Sequence, residues 1–291
     1  MRRLLTGCLL LFCGLTQAAV SVPDDAGQTV TLPRPATRIL ALAPHVAELL
    51  YAAGAGDQVI ASVEFANYPE AARKLPRVGS YSAFDLERIA ALKPDLAVVW
   101  GSGNPAGQVA QVRRLGIPVF VSEPQQLDDI PQSLRRLGQL AGTTAVAEQA
   151  AHDFVQRRDA LARRHAGKRP VTVFYEIWNQ PLMTVGGSHL IGAALALCSG
   201  RNAFASIAQP AATVALEAVL RADPEVIVAS GMGEERPDWL EDWRRWSQLA
   251  AVKRNNLFFV PPDLLQRHTP RILDGTERLC DALDTARQRG R

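Results

Sequence analysis

The chain has 291 residues, 47% of them hydrophobic, 21% charged and 6% aromatic, with a formal net charge of +3 at pH 7. That length and apolar content can bury a large core and favour two lobes over one. A charge so near neutrality leaves no basic field of the kind nucleic-acid binding requires.

The first residues, "MRRLLTGCLLLFCGLTQAAV", place two arginines before an apolar run from Leu4 to Leu15 and small residues around Ala18. That order predicts a secretory signal peptide over residues 1–18, cleaved after Ala18, with a retained anchor helix as the alternative. "LTGC", ending at Cys8, also has the outline of a lipid-attachment box, but most of the apolar run follows that cysteine. Cleavage removes Arg2 and Arg3, leaving a side-chain charge of about +1. It also removes Cys8 and Cys13, so Cys198 and Cys280 remain. Two cysteines in an exported chain read as one disulfide, or else as two separate buried thiols. No later run is long and apolar enough to span a bilayer, so the expected product is soluble and exported.

After the leader, two alternating β stretches flank a turn at Asp25-Ala26-Gly27, and a β run follows from Arg38 to Ala43. Helices and strands then alternate: "HVAELLYAAG" as helix, "QVIAS" as strand, "DLERIAAL" as helix, "DLAVVW" as strand, "QVAQVRRLG" as helix and "IPVFVS" as strand. A helix-rich stretch comes next, Leu127 to Gly142 and then Thr143 to about Ala166, the second opening on a threonine cap. Alternation resumes with "VTVFYEI" as strand, "SHLIGAALALCSG" and "ALEAVLRA" as helices, "EVIVAS" as strand, "DWLEDWRRWSQLAAV" as one helix, "NLFFVPP" as strand and a closing helix in "TPRILDGTERLCDALDTARQ".

The predicted class is α/β, with two lobes, each a mostly parallel sheet flanked by helices, joined by one long α-helix. The lobes are assigned to residues 19–125 and 169–291, and the helical region with its connector to 126–168.

One pattern occurs in both lobes: "DLERIAALKPDLAVVW" from Asp85 and "ALEAVLRADPEVIVAS" from Ala215. Leu86, Ile89 and Ala90 match Leu216, Val219 and Leu220 as a helix-packing stripe, and Pro94 and Pro224 end each helix. Glu87 and Glu217 fall beside the stripe, so both should face solvent. A carboxylate in a first helical turn also favours the positive end of the macrodipole, which is the plainer account of the pair.

Ligands of open α/β sheets bind beyond the carboxyl ends of the strands. Those ends carry "WGSGNP", "YEIWNQP" and "VPPDLLQRHTPR", which place Trp100 and Trp178 there, while Phe65, Tyr68, Tyr81 and Phe84 lie in loops. Aromatic walls pooled from two lobes suit a large, rigid, partly apolar ligand. Trp243 and Trp246 read as helix packing, and His45 as a local hydrogen-bonding group. Catalytic patterns are missing. "GSGNPAG" misses the dinucleotide-loop spacing by one residue, the histidines form no zinc pair, and no GxSxG elbow occurs. No catalytic, metal or cofactor site is therefore assigned, although an exported α/β enzyme stays open as an alternative.

Over nearly all of the mature chain the sequence resembles the periplasmic substrate-binding proteins of ABC importers that have a rigid interlobe helix and take up cobalamin, haem and ferric siderophores. "DDAGQTVTLPRPATRILALAPHVAELLYAAG", "YPEAARKLPRVG", "DLERIAALKPDLAVVWGSGN" and "WSQLAAVKRNNLFFV" carry the likeness. It is greatest to the cobalamin-binding branch, through "LERIAALKPDL" followed by Trp100, the "ALCSG" and "RLCDAL" cysteines, and "DLLQRHTPRI".

The resemblance implies a periplasmic, non-enzymatic protein, monomeric when free, that passes a corrinoid to ABC permease subunits. It implies that Phe65, Tyr81, Trp100 and the segment Asp263, Leu264, Leu265, Gln266 and Arg267 line the corrinoid pocket, and that Cys198 and Cys280 are joined. Glu87 and Glu217 would be the carboxylates, one per lobe, that dock onto permease arginines. Tyr81 stands where the cobalamin branch has a tryptophan, and Leu264, Leu265 and "QPAATV" lack its aromatics, so haem or a ferric siderophore remains an alternative ligand.

Overall fold

The structure, a computed structural model, describes residues 19–231, 233 and 235–290. The signal peptide assigned to residues 1–18 lies outside the described residues. Strands β1 (Val20–Pro23) and β2 (Thr29–Leu32) pair as an antiparallel hairpin on the turn the sequence marks, where Gly27 takes a φ of 76°. The first lobe then builds a four-stranded sheet from β3 (Ile39–Ala41), β4 (Val59–Ser62), β5 (Leu96–Trp100) and β6 (Val119–Ser122). Its order is β4-β3-β5-β6, and every pair is parallel. Helices α1 (Pro44–Ala52), α2 (Glu70–Arg73), α3 (Leu86–Ala91) and α4 (Ala106–Arg114) fill the connections. Strands such as "LAVVW" and "VFVS" are almost wholly apolar because helices or loops cover both faces of a parallel sheet.

Helices α5 (Asp129–Ala141) and α6 (Thr144–His165) come next. The latter has 22 residues, about 33 Å of rise. The two helices cross closely because Gly138 has no side chain, and a β-carbon there would strike Ala147. Thr143 stands at the start of α6 but does not cap it. Its hydroxyl donates instead to the Ala53 carbonyl at 2.6 Å, which ties the connector to the end of α1.

The second lobe contains, in order, β7 (Val171–Asn179), β8 (Leu182–Val185), α7 (Leu190–Leu197), β9 (Gly200–Asn202), β10 (Ala211–Thr213) and α8 (Leu216–Ala222). It continues through β11 (Val226–Ala229), α9 (Ala250–Lys253), β12 (Leu257–Phe259), α10 (Pro262–Leu265) and α11 (Ile272–Arg289). The sheet runs β10-β8-β7-β11-β12, with β9 against the start of β7. Strands β7, β9, β11 and β12 are parallel, whereas β8 and β10 join in antiparallel fashion.

"DWLEDWRRWSQLAAV" does not form the single helix its length suggests. Asp238–Arg245 winds as a 3-10 helix, and only Ala250–Lys253 is α-helical. The spacing of Leu240 and Trp243 explains this, since i and i+3 side chains eclipse in a 3-10 turn and both are buried. Trp243 packs edge-on to Phe174, and its indole N–H donates to the Glu176 carboxylate at 2.7 Å.

One buried apolar cluster passes from Val22 and Phe120 in the first lobe, through Ala147, Ala151, Phe154 and Leu161 of α6, to Tyr175, Ile191 and Leu283 in the second. Cys198, just after α7, is bonded to Cys280 of α11. The connector is thus part of the core, not a tether beside it. No helix among the described residues is long and apolar enough to cross a membrane.

Candidate ligand-binding cleft

The carboxyl ends of both sheets face one cavity of about 880 Å³, as open α/β folds lead one to expect. The first lobe contributes Val99, Trp100, Ser102, Asn104, Val109, Val121, Glu123 and Pro124. From the second come Ile177, Val185, His189, Leu190, Ile191, Pro210, Gln266 and His268. The lining is mainly apolar with a few separated polar groups, the composition that holds a large amphipathic ligand in one orientation.

Trp100 ends β5 and is held by its own loop. The Asn104 side chain accepts from the Trp100 backbone N–H at 2.6 Å and donates to the Leu42 and Tyr81 carbonyls at 3.0 and 2.7 Å. The indole lies over Gly103, where a β-carbon would collide with the ring. "GSGN" therefore closes the backbone around a tryptophan, rather than opening it to a nucleotide. Tyr81 stands 6.0 Å from that indole with its ring tilted by 50°.

Of the residues predicted to touch ligand, Trp100 and Gln266 line the cavity and Tyr81 stands next to Trp100. Trp178 lies one residue beyond the lining Ile177 and donates its indole N–H to the Gln180 carbonyl at 2.8 Å. Phe65 is 67% exposed and Tyr68 46%, on a loop outside the cavity. Leu264 and Leu265 are buried in the core and turn no surface to the cavity. The sequence reading missed Glu123, His189 and His268. His268 follows the last predicted strand and His189 falls at the start of a predicted helix, but their convergence depends on the tertiary fold.

Arg267 and Asp263 do different work. Glu48 of α1 is buried, and its carboxylate accepts from Arg267 at 2.7 Å, Thr269 at 3.0 Å and Arg271 at 3.3 Å, all from the second lobe. Arg267 also pairs with Asp263 at 2.8 Å and donates to Asn67 and to the Phe65 carbonyl. Asn67 in turn donates to Asp263 at 2.9 Å, and the Arg271 guanidinium stacks 3.9 Å from the centre of the Tyr68 ring. Together these groups link the two lobes outside the cavity lining.

Three imidazoles cluster near Trp100, and two of them, His189 and His268, line the cavity. The His268 ring lies 5.9 Å from His189 and 6.3 Å from His45, and His45 meets Trp100 edge-on at 5.3 Å. Burial, helped by neighbouring positive groups, lowers His45 to about 3 and His189 to about 4. Burial also lowers His268, against the Glu123 carboxylate and a hydrogen bond to the Pro124 backbone. All three rings are neutral at physiological pH. Among the described residues, no three histidine, cysteine or acidic side chains are arranged to hold a bare metal ion.

These groups set a pH optimum for stability. His45 and His189 have folded values below their unfolded 6.5, so the unfolded state gains protons first as pH falls below 6.5, and stability drops. Glu176 is pushed by burial from 4.5 up to about 8, so the native state keeps a proton the unfolded state loses, and stability drops as pH rises through that window. Below 6.5 the lowered histidines, His268 among them, outweigh the raised carboxylates Glu176 and Glu48, and above it only the carboxylates act. Each contributes about 1.4 kcal/mol per pH unit. Melting temperature is therefore expected to peak near pH 6.5, and Glu176→Gln to reduce the loss on the alkaline side. A melting temperature flat from pH 5 to 8 by calorimetry counts against these assignments.

Glu87 and Glu217 are exposed in the first turns of α3 and α8, and among the described residues neither has an ion-pair partner. Asp85 caps α3 by accepting from the Arg88 N–H at 2.9 Å. Ile89 and Val219 are the buried packing residues of the repeated pattern, whereas Ala90 is exposed. A helix of six residues has too short a face for a full stripe.

Residues 39–264 match the protein family described as periplasmic binding protein. A vitamin B12-binding protein of Vibrio cholerae serotype O1 is 36% identical over 257 residues, which cover 88% of this chain and 92% of that one. The crystal structure of the periplasmic vitamin B12 binding protein BtuF of Vibrio cholerae superposes with a TM-score of 0.79 at 36% identity, covering 87% of this chain and 98% of that chain. The periplasmic heme-binding protein RhuT from Roseiflexus sp. RS-1 gives a TM-score of 0.75 at 24% identity over 86% of this chain and 98% of that one, a likeness of fold alone.

Proposed function

The chain belongs to the periplasmic binding protein family, and from that premise we propose that it captures cobalamin or a related corrinoid between its lobes and delivers it to an ABC importer. The observation that carries this reading is the cavity of about 880 Å³ with Trp100 on one wall and apolar side chains from both sheets on the others. The likeness to vitamin B12-binding proteins across most of the chain supports the ligand class. A corrin ring offers broad apolar faces and a rim of amides, which match apolar walls and separated polar groups. Capture needs burial, stacking and hydrogen bonds, and no covalent step. Residues 1–18 direct export to the periplasm, and the free protein acts as a monomer.

Titration of the purified protein with cyanocobalamin, cobinamide, haem and a ferric siderophore, followed by calorimetry, tests the ligand class. A corrinoid is expected to bind, and a response to haem or siderophore alone overturns the reading. Trp100→Ala is expected to weaken corrinoid binding by more than tenfold, because a large aromatic anchor in a desolvated site costs about 2 kcal/mol or more when truncated. Unchanged affinity in that variant would remove Trp100 from the site.

We also assign Glu87 and Glu217 to the docking of the permease. Their exposure, lack of ion-pair partners among the described residues, and placement on equivalent helices of the two lobes support this role.

A further inference from the structure

We propose that His268 supplies an axial nitrogen to the cobalt of the bound corrinoid, with His189 as a hydrogen-bond donor to the corrin rim. The proposal rests on the corrinoid reading and identifies one atom-level contact within it.

The three rings of this cluster differ in what each can offer. His189 accepts the Ile191 backbone N–H on Nδ1 at 3.1 Å, so in its neutral form Nε2 carries the proton. It is a donor, and its lone pair is taken. His45 is buried behind Trp100 and is not part of the cavity lining, and its Nε2 has no partner. His268 does line the cavity, with Glu123 and Pro124 of the first lobe on the same wall system. A neutral imidazole holds its proton on one ring nitrogen and keeps a free lone pair on the other.

The backbone at this position is also held. Arg267 and Thr269, on either side of His268, both bind the Glu48 carboxylate, at 2.7 and 3.0 Å. A ring fixed by its neighbours and neutral at physiological pH is prepared to act as a ligand without rearrangement. The described residues do not form a bare-ion site, so an axial position on a metal already held by the corrin ring fits a single imidazole. The step is a ligand exchange. The cobalt–water bond breaks, the cobalt–nitrogen bond forms, water leaves, and neither the oxidation state nor the proton count changes.

Absorption spectra of the purified protein mixed with diaquocobinamide and with dicyanocobinamide test the idea. The diaquo form has exchangeable axial water, and the dicyano form has its axial positions filled. Wild-type protein is expected to shift the low-energy bands of the diaquo form to those of an imidazole-ligated corrinoid and to bind it at least tenfold more tightly than the dicyano form. In His268→Ala and His268→Gln the shift disappears and that preference collapses, whereas in His189→Ala the shift remains. A corrinoid that binds wild-type protein with an unshifted spectrum overturns axial ligation and leaves the corrinoid reading intact. A shift that persists in both His268 variants does the same, and no binding of either corrinoid overturns both.

Discussion

Glu48→Ala is expected to destabilise the protein by about 3 kcal/mol, lowering the melting temperature by about 6–12 °C. Glu48 is a carboxylate buried in α1 whose partners, Arg267, Thr269 and Arg271, come from the opposite lobe. Burial raises its pKa, while the two arginines and Thr269 pull it down without overcoming that penalty. The cluster is therefore not a large net source of stability as a whole. Removing the carboxylate alone is another matter, because it leaves two largely desolvated guanidinium groups facing a void. Arg267 keeps Asp263 as a partner, which places the expected loss at the lower end of the range for broken buried ion pairs. Glu48→Gln retains an oxygen acceptor and should lose less. Urea denaturation of the two variants provides the measurement, and a Glu48→Ala protein within 0.5 kcal/mol of wild type, on the order of an ordinary surface substitution, rules out a stabilising link between the lobes through this carboxylate.

The larger functional effect is expected from Glu87→Ala combined with Glu217→Ala. Truncating one member of a buried interfacial charge pair costs at least about 2 kcal/mol, or roughly thirtyfold in affinity. Two such losses on separate lobes should weaken permease association by on the order of a hundredfold or more. Corrinoid affinity should stay unchanged, since neither glutamate lines the cavity. Each single variant should fall between wild type and the double variant. Uptake by cells that depend on this protein, paired with corrinoid titration of the purified variants, separates docking from capture. Normal uptake in the double variant sinks the docking assignment, and so does a matching fall in ligand affinity.

The fold was legible where its signals are local. Apolar strands with helical stripes between them predicted both lobes, and Asp25-Ala26-Gly27 marked the first hairpin. The antiparallel additions β8 and β10 were not legible, because strands of four and three residues are too short for a period to be recognised. The tryptophans of the "DWLEDWRRW" segment suggested an α-helix, while the buried bond from Trp243 to Glu176 and threefold packing favoured 3-10 turns.

In the cleft, Trp100 was legible because a tryptophan at a strand end followed by glycines is a local pattern. Glu48 was not, because its partners stand 219 to 223 positions away and nothing in "HVAELLYAAG" marks it as buried. Arg267 shows the same limit from the other side. Its place at the cleft was inferred from resemblance, and the structure gives it a carboxylate partner in the opposite lobe.

The connector α6 shares its buried face with both lobes. An insert that packs into two halves at once behaves as a strut, so the separation of features mounted on either half is nearly a constant of the molecule. In the docking role proposed for them, Glu87 and Glu217 would be the two ends of a ruler of nearly fixed length. A permease gripping both ends would then recognise the protein by that span, and news of whether it is loaded would have to come from the mouth of the cleft between them.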